Sequence, residues 1–208
     1  MYHLYGFYTQ NTLKVLYVLE TLGTDYDFKF MDLFKGEHKQ ENFLKLNPVG
    51  KVPVLQVGDD SIFESAAICR YIANQAQSPL YPGDNLQRAK VDQWLDFFSN
   101  HLGRWLSTLF FENVIKNKAG MGDPDAEKCE EAQKFTLQQM AVVDAHLAVN
   151  AYLAGDNLTI ADLFAFAYVE QVETFDFSWD NFPNAKAWFD ALNSQDAIKR
   201  ARKIARSE

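Results

Sequence analysis

Residues 2–75 read as strand, helix, strand, helix, hairpin and helix in turn, and from residue 87 onward every periodic segment is helical. YHLYG at 2–6 is a short strand stopped by Gly6. Residues 11–22 repeat Leu13, Val15, Leu16, Leu19 and Leu22 at helical spacing. Residues 25–32 alternate Tyr26, Phe28 and Phe30 with Asp25, Asp27 and Lys29, which predicts a half-exposed strand. A short helix over 38–46 ends before Asn47-Pro48, since the residue before a proline disfavours helix. Segments 53–57 and 61–63 flank Gly58-Asp59-Asp60, a hairpin signal, and 64–75 returns to helix. A β-α-β unit followed by β-β-α implies one small mixed sheet with helices on its faces.

That order is the thioredoxin-like arrangement, without its redox cysteine pair. QSPLYPGDN at 77–85 has linker composition. Beyond it, Val91, Trp94, Leu95, Phe98, Leu102, Trp105, Leu106 and Leu109 form a wide apolar stripe on one long helix over 87–116. Gly120 to Pro124 breaks the pattern. Helices follow over 125–149, 159–174 and 183–193, and a short basic helix closes the chain. The expected fold class is an α/β thioredoxin-like N-terminal domain over 1–77 and an all-α helical domain over 86–208. A chain of 208 residues with 17 Phe, 9 Tyr and 4 Trp can bury both cores.

The remaining composition works by exclusion. A net charge of −8 with no basic stripe argues against nucleic acid and against an anionic membrane surface. No apolar run reaches the ~18–20 residues of a membrane helix. MYHLYGFYTQ lacks the basic-then-apolar order of a signal peptide, so a cytoplasmic setting is expected. Cys69 and Cys129 form no CxxC and no zinc-spaced cluster, so neither a metal nor a disulfide framework is expected.

Four local features could carry chemistry. Tyr8-Thr9-Gln10-Asn11 places hydroxyl and amide groups at a helix start, where free N–H groups and the helix dipole favour an anion and would lower the pKa of a bound thiol. The same residues serve equally as a helix cap. Lys51-Val52-Pro53 leads into a strand, and a cis Pro53 would expose the Val52 backbone to an extended ligand. Glu64-Ser65 opens a helix, either as a cap or as a receiver of a carboxylate and an ammonium group. His38-Lys39 is either solvated surface or an anion contact. Together these suit a short zwitterionic peptide with a thiol.

At this point the chain resembles the cytosolic glutathione transferase superfamily over essentially its whole length. Asn47-Pro48-Val49-Gly50-Lys51-Val52-Pro53, then Phe63-Glu64-Ser65-Ala66-Ala67-Ile68 and Tyr71, is similar to that family's glutathione-binding signature. Gly36-Glu37-His38-Lys39 resembles a phi-class segment that meets the glycyl carboxylate. Asn157-Leu158-Thr159-Ile160-Ala161-Asp162 resembles the family's capping element, with capping-box spacing between Thr159 and Asp162. Losing either residue to alanine is expected to cost about 1 kcal/mol and to leave chemistry intact.

The resemblance implies glutathione as co-substrate, no metal, a homodimer and a bacterial phi-, theta- or nu-like member. Thr9 sits where phi- and theta-like members carry a catalytic serine, and T-x-N-x-x-K (Thr9, Asn11, Lys14) is similar to the nu class, where a Thr and an Asn contact the glutathione sulfur. Tyr8 is the rival. His38, Lys39 and Lys51 would hold the glycyl carboxylate, Val52 and Pro53 the cysteinyl unit, and Glu64 and Ser65 the γ-glutamyl end. Phe7, Arg104, Trp105 and Phe111 would face a hydrophobic electrophile between the domains. The implied activity is glutathione transfer to such an electrophile. Glutathione-dependent disulfide or peroxide reduction and a non-catalytic scaffold are the alternatives.

Overall fold

In a computed structural model, which describes residues 1–207, the chain divides into two units. The first comprises Met1–Gly83 together with the chain from Asn193 onward, and the second Asp84–Leu192. The boundary near residue 84 matches the linker composition. The C-terminal segment does not follow the expected 86–208 domain, because the helix it forms packs on the first unit.

The first unit holds β1 (Tyr2–Gly6), α1 (Gln10–Leu22), β2 (Tyr26–Phe30), a 3₁₀ turn (Glu37–Lys39), α2 (Glu41–Leu46), β3 (Val54–Val57), β4 (Asp60–Phe63) and α3 (Ser65–Gln75). The strand order is β2-β1-β3-β4. β1 runs parallel to β2 and antiparallel to β3, and β3 pairs antiparallel with β4. Tyr5 lies opposite Val54, and Val54 opposite Phe63. The end of β1, the entry to β3 and the exit of β4 therefore share one end of the sheet.

α1 is buried from Thr12 to Leu19 without interruption. α3 and the last helix pack on it. It can start so close to β1 because residue 6 is glycine: a Cβ there would lie 2.4 Å from the Thr12 methyl group. The closing basic helix, α10 (Asp196–Arg206), lies along α1. Arg200 Nε donates to Glu20 at 2.8 Å, and Arg206 donates to the Tyr8 hydroxyl at 3.1 Å.

The second unit is helical, as expected. The stripe expected as one helix is broken. α4 (Asn85–Phe97) passes through a π segment (Phe98–Leu102) into α5 (Gly103–Phe110), a second π segment (Phe111–Ile115) and α6 (Lys116–Lys118). α7 (Ala126–Leu147), α8 (Ile160–Val169) and α9 (Pro183–Asn193) follow. Gly103 ends the first π segment where α8 crosses. A Cβ there would sit 2.2 Å from the Phe98 carbonyl oxygen and 2.8 Å from the Tyr168 ring. Gly103→Ala is expected to destabilise the protein by about 1–3 kcal/mol, read as a lowered urea midpoint, since both neighbours are fixed by packing.

No helix of the described residues is long and apolar enough to cross a membrane.

Candidate functional site

The α1 start, the Lys51-Val52-Pro53 segment and the Glu64-Ser65 helix start adjoin strand termini at the same end of the sheet. Thr9 is the N-cap of α1. Its Oγ1 accepts from the Thr12 amide at 3.4 Å and donates to Thr12 Oγ1 at 3.3 Å. The capping use of Thr9 is thus realised. That O–H···O contact is longer than the ordinary 2.5–3.0 Å, so the hydroxyl proton is weakly held. The first turn of α1 carries no acidic residue, so no side-chain anion answers its dipole. Asn11, half-buried on that turn, accepts at Oδ1 from the buried Lys14 Nζ at 2.7 Å.

Tyr8 is exposed, its ring lies 4.9 Å from the Arg206 guanidinium carbon, and its hydroxyl accepts from the same group. Tyr5 is committed elsewhere: its hydroxyl donates to Gln56 at 3.0 Å.

The loop between α2 and β3 is organised by Asn47, which is 2% exposed. Its amide donates to the Lys51 carbonyl at 2.8 Å and accepts from Val49 N at 3.0 Å, while its own carbonyl accepts from Gly50 N at 2.9 Å. The Val52–Pro53 bond is cis. His38 and Lys39 lie not on α2, as expected, but on the 3₁₀ turn before it, because Gln40 is extended and restarts the helix. Lys39 Nζ donates to the Gly50 carbonyl at 3.2 Å, which ties the two segments together. The Nδ1 atom of His38 is buried and makes no hydrogen bond among the described residues.

Glu64 departs most from its ordinary use. It occupies the N-cap position of α3 but makes no side-chain cap bond, and its side chain is exposed. Its φ of 73° is in the region that favours glycine. Such a backbone costs on the order of 1–3 kcal/mol and persists where the surroundings demand it. Ser65 follows, buried, as the first residue of α3.

The candidates for a second substrate fall in both units. Phe7 packs with Phe30 and Phe34 at ring separations of 5.4 and 5.7 Å in the first unit. In the second, the Arg104 guanidinium covers Trp105 at 4.7 Å, Trp105 stacks on Phe135, and Phe111 is exposed. Among the described residues no group of three or more His, Cys, Asp or Glu is placed to hold a metal ion.

Lys14 and Asn47 were legible only as motif members. Lys14 interrupts an apolar helix, and that interruption is the signal that could have marked it.

Two family models match the chain. Glutathione S-transferase, N-terminal domain, covers residues 1–74, and Glutathione S-transferase, C-terminal domain, covers residues 104–196. Glutathione S-transferase 3 of Zea mays is 40% identical over 163 residues, spanning 76% of this chain and 72% of the relative. The chain belongs to the glutathione transferase family. A probable glutathione S-transferase of Oryza sativa subsp. japonica is 33% identical over 193 residues, covering 91% of this glutathione transferase and 90% of the rice protein. Both are plant proteins, so these likenesses do not single out the bacterial members expected from the sequence. Among solved structures, glutathione S-transferase I bound with lactoylglutathione superposes with a TM-score of 0.90 at 30% identity, covering 98% of this chain and 99% of the other. A theta class glutathione S-transferase from Xanthomonas axonopodis pv. citri with glutathione bound gives 0.88 at 27% identity, covering 96% of each chain.

Proposed function

We propose that this family member binds glutathione, holds it as the thiolate and directs the sulfur at a hydrophobic electrophile. The observation that carries the reading is the row at one end of the sheet, where the α1 start, the Lys51-Val52-Pro53 entry to β3 and the Glu64-Ser65 start of α3 follow or precede aligned strand termini.

A free thiol has a pKa of ~8.5, so only a few per cent is thiolate at neutral pH. Each unit of lowering takes ~1.4 kcal/mol of preference for the anion. Thr9 can supply part: turning its hydroxyl from Thr12 to a thiolate exchanges a long neutral bond for a charge-assisted one. The Asn11 amide and the open helix start supply the rest. Glu64 takes the γ-glutamyl ammonium group, with Ser65 and the α3 start at the adjoining carboxylate. Lys51, Lys39 and His38 take the glycyl carboxylate, and Val52 pairs with the cysteinyl unit beside Pro53. Tyr8, clamped by Arg206, is assigned to the rim and not to the sulfur. Phe7 with its aromatic neighbours offers apolar surface to the electrophile in the first unit, and Arg104, Trp105 and Phe111 are the second unit's candidates.

Glutathione-dependent disulfide reduction is the second reading, favoured by the Thr9-x-Asn11-x-x-Lys14 arrangement and using the same site. A homodimer and a cytosolic setting belong to the same proposal. Calorimetry with glutathione, followed by turnover of an aryl halide and of a mixed disulfide, tests it. Binding with turnover is expected; binding without turnover of either compound contradicts it and leaves a scaffold.

The loop makes a separate prediction. Asn47→Ala removes both side-chain bonds that shape the Lys51 segment, and is expected to weaken glutathione binding about tenfold, or ~1.4 kcal/mol. At saturating glutathione, turnover should change little.

A further inference from the structure

On the reading of the site just proposed, we infer that Lys14 is a positioning residue: its buried side chain holds the Asn11 amide in the one orientation that leaves both amide N–H groups available to the glutathione sulfur.

Lys14 is 1% exposed and is the only cation in the buried run from Thr12 to Leu19. A lysine in such a place is costly relative to an apolar residue of similar length, so stability alone does not call for it. Its Nζ lies 2.7 Å from Asn11 Oδ1, one turn back on the same helix. An ammonium group has three donors and no acceptor, so only the amide oxygen can face it. Turning the amide over would set two N–H groups against a cation at hydrogen-bond distance. The ambiguity that usually attends an asparagine amide is thus settled by its partner. With the oxygen fixed inward, the two N–H groups are the atoms left to offer. A positive charge drawing on the oxygen also strengthens those N–H groups as donors.

The surroundings fit that use. The Lys14 ammonium feels the carboxylate of Glu64, just before α3. Burial holds its pKa well below the usual lysine range, while the Glu64 carboxylate pulls it back up. Cys69, whose Sγ donates to the Lys14 carbonyl at 3.6 Å, is pushed up to about 12 by burial and stays a thiol. Lys14 therefore touches the residue assigned to the sulfur directly and is coupled electrostatically to the residue assigned to the ammonium end.

The test is a double-mutant cycle on the full chain, read as the pKa of bound glutathione from the thiolate's ultraviolet absorbance against pH, with thermal unfolding as the control. Asn11→Ala is expected to raise that pKa by about one unit, the worth of one charge-assisted hydrogen bond. Lys14→Met, which keeps length and removes the donor, should raise it by a similar amount. In the Asn11→Ala background Lys14→Met should add nothing, because its effect passes through the amide. Lys14→Gln retains a donor and should fall between. Where the methionine variant does not fold, the glutamine variant decides the matter, since its shift must also vanish without Asn11. A folded Lys14→Met protein with the parent's thiol pKa, or shifts that add to those of Asn11→Ala, overturns the inference alone. No shift in Asn11→Ala overturns it together with the assignment of Asn11 to the sulfur.

Discussion

Asp162→Ala is expected to destabilise the protein by about 3–5 kcal/mol, well beyond the ~1 kcal/mol of an ordinary lost cap. The spacing with Thr159 announces a capping box, and the structure contains one. It also shows what spacing cannot: Asp162 is wholly buried and receives four donors. Leu153 N and Thr159 N reach it at 2.9 Å, and Thr159 Oγ1 and Trp188 Nε1 at 3.1 Å. The carboxylate thus joins the 153 loop, the start of α8 and the indole of α9. Burial pushes its carboxyl above the usual range while the four donors pull the other way. Alanine would strand those donors in the interior, each at about 1–3 kcal/mol before relaxation. Asp162→Asn keeps the shape and one good acceptor, and should cost less than half as much. Urea unfolding decides it, and a loss under about 1.5 kcal/mol for alanine would contradict the account. The glutathione-contacting candidates all lie in the first unit, so the folded fraction should still bind glutathione.

The second large effect concerns chemistry. Replacing Thr9 and Asn11 together by alanine should raise the bound thiol's pKa by about one and a half units, and so lower turnover at neutral pH about tenfold. Only the helix start would remain to hold the anion. Affinity for glutathione should fall far less, since its two ends are assigned to Lys51, Glu64 and Ser65. A loss confined to KM would assign both residues to ordinary binding. Thr9→Ala alone carries a stability cost of about 1 kcal/mol, because the residue also caps α1. Thr9→Ser keeps both uses and should behave as the parent.

Much of the first unit was legible because its signals are local. Alternation over Tyr26, Phe28 and Phe30, the hairpin at Gly58-Asp59 and the stop at Asn47-Pro48 each depend on a few neighbours. What escaped depends on distant partners. The π segment before Gly103 reflects the Tyr168 ring, 65 positions away in sequence, pressing on a residue without a Cβ. The basic closing helix reads as surface until Arg200 and Arg206 are seen reaching Glu20 and Tyr8. The helix start at Glu41 instead of His38 turns on one extended residue, Gln40. In the site, residue types were readable and commitments were not. No pattern tells that the Thr9 hydroxyl rests on Thr12, that Glu64 abandons its cap, or that Lys14 is enclosed on every side.

The most direct measurement is the pH titration of glutathione bound to the unaltered protein, followed through its thiolate absorbance. A thiol pKa lowered by about two units from its free value of ~8.5 is the result that thiolate stabilisation predicts. Glutathione that binds with its pKa unshifted would contradict the account and make the site a binding site only.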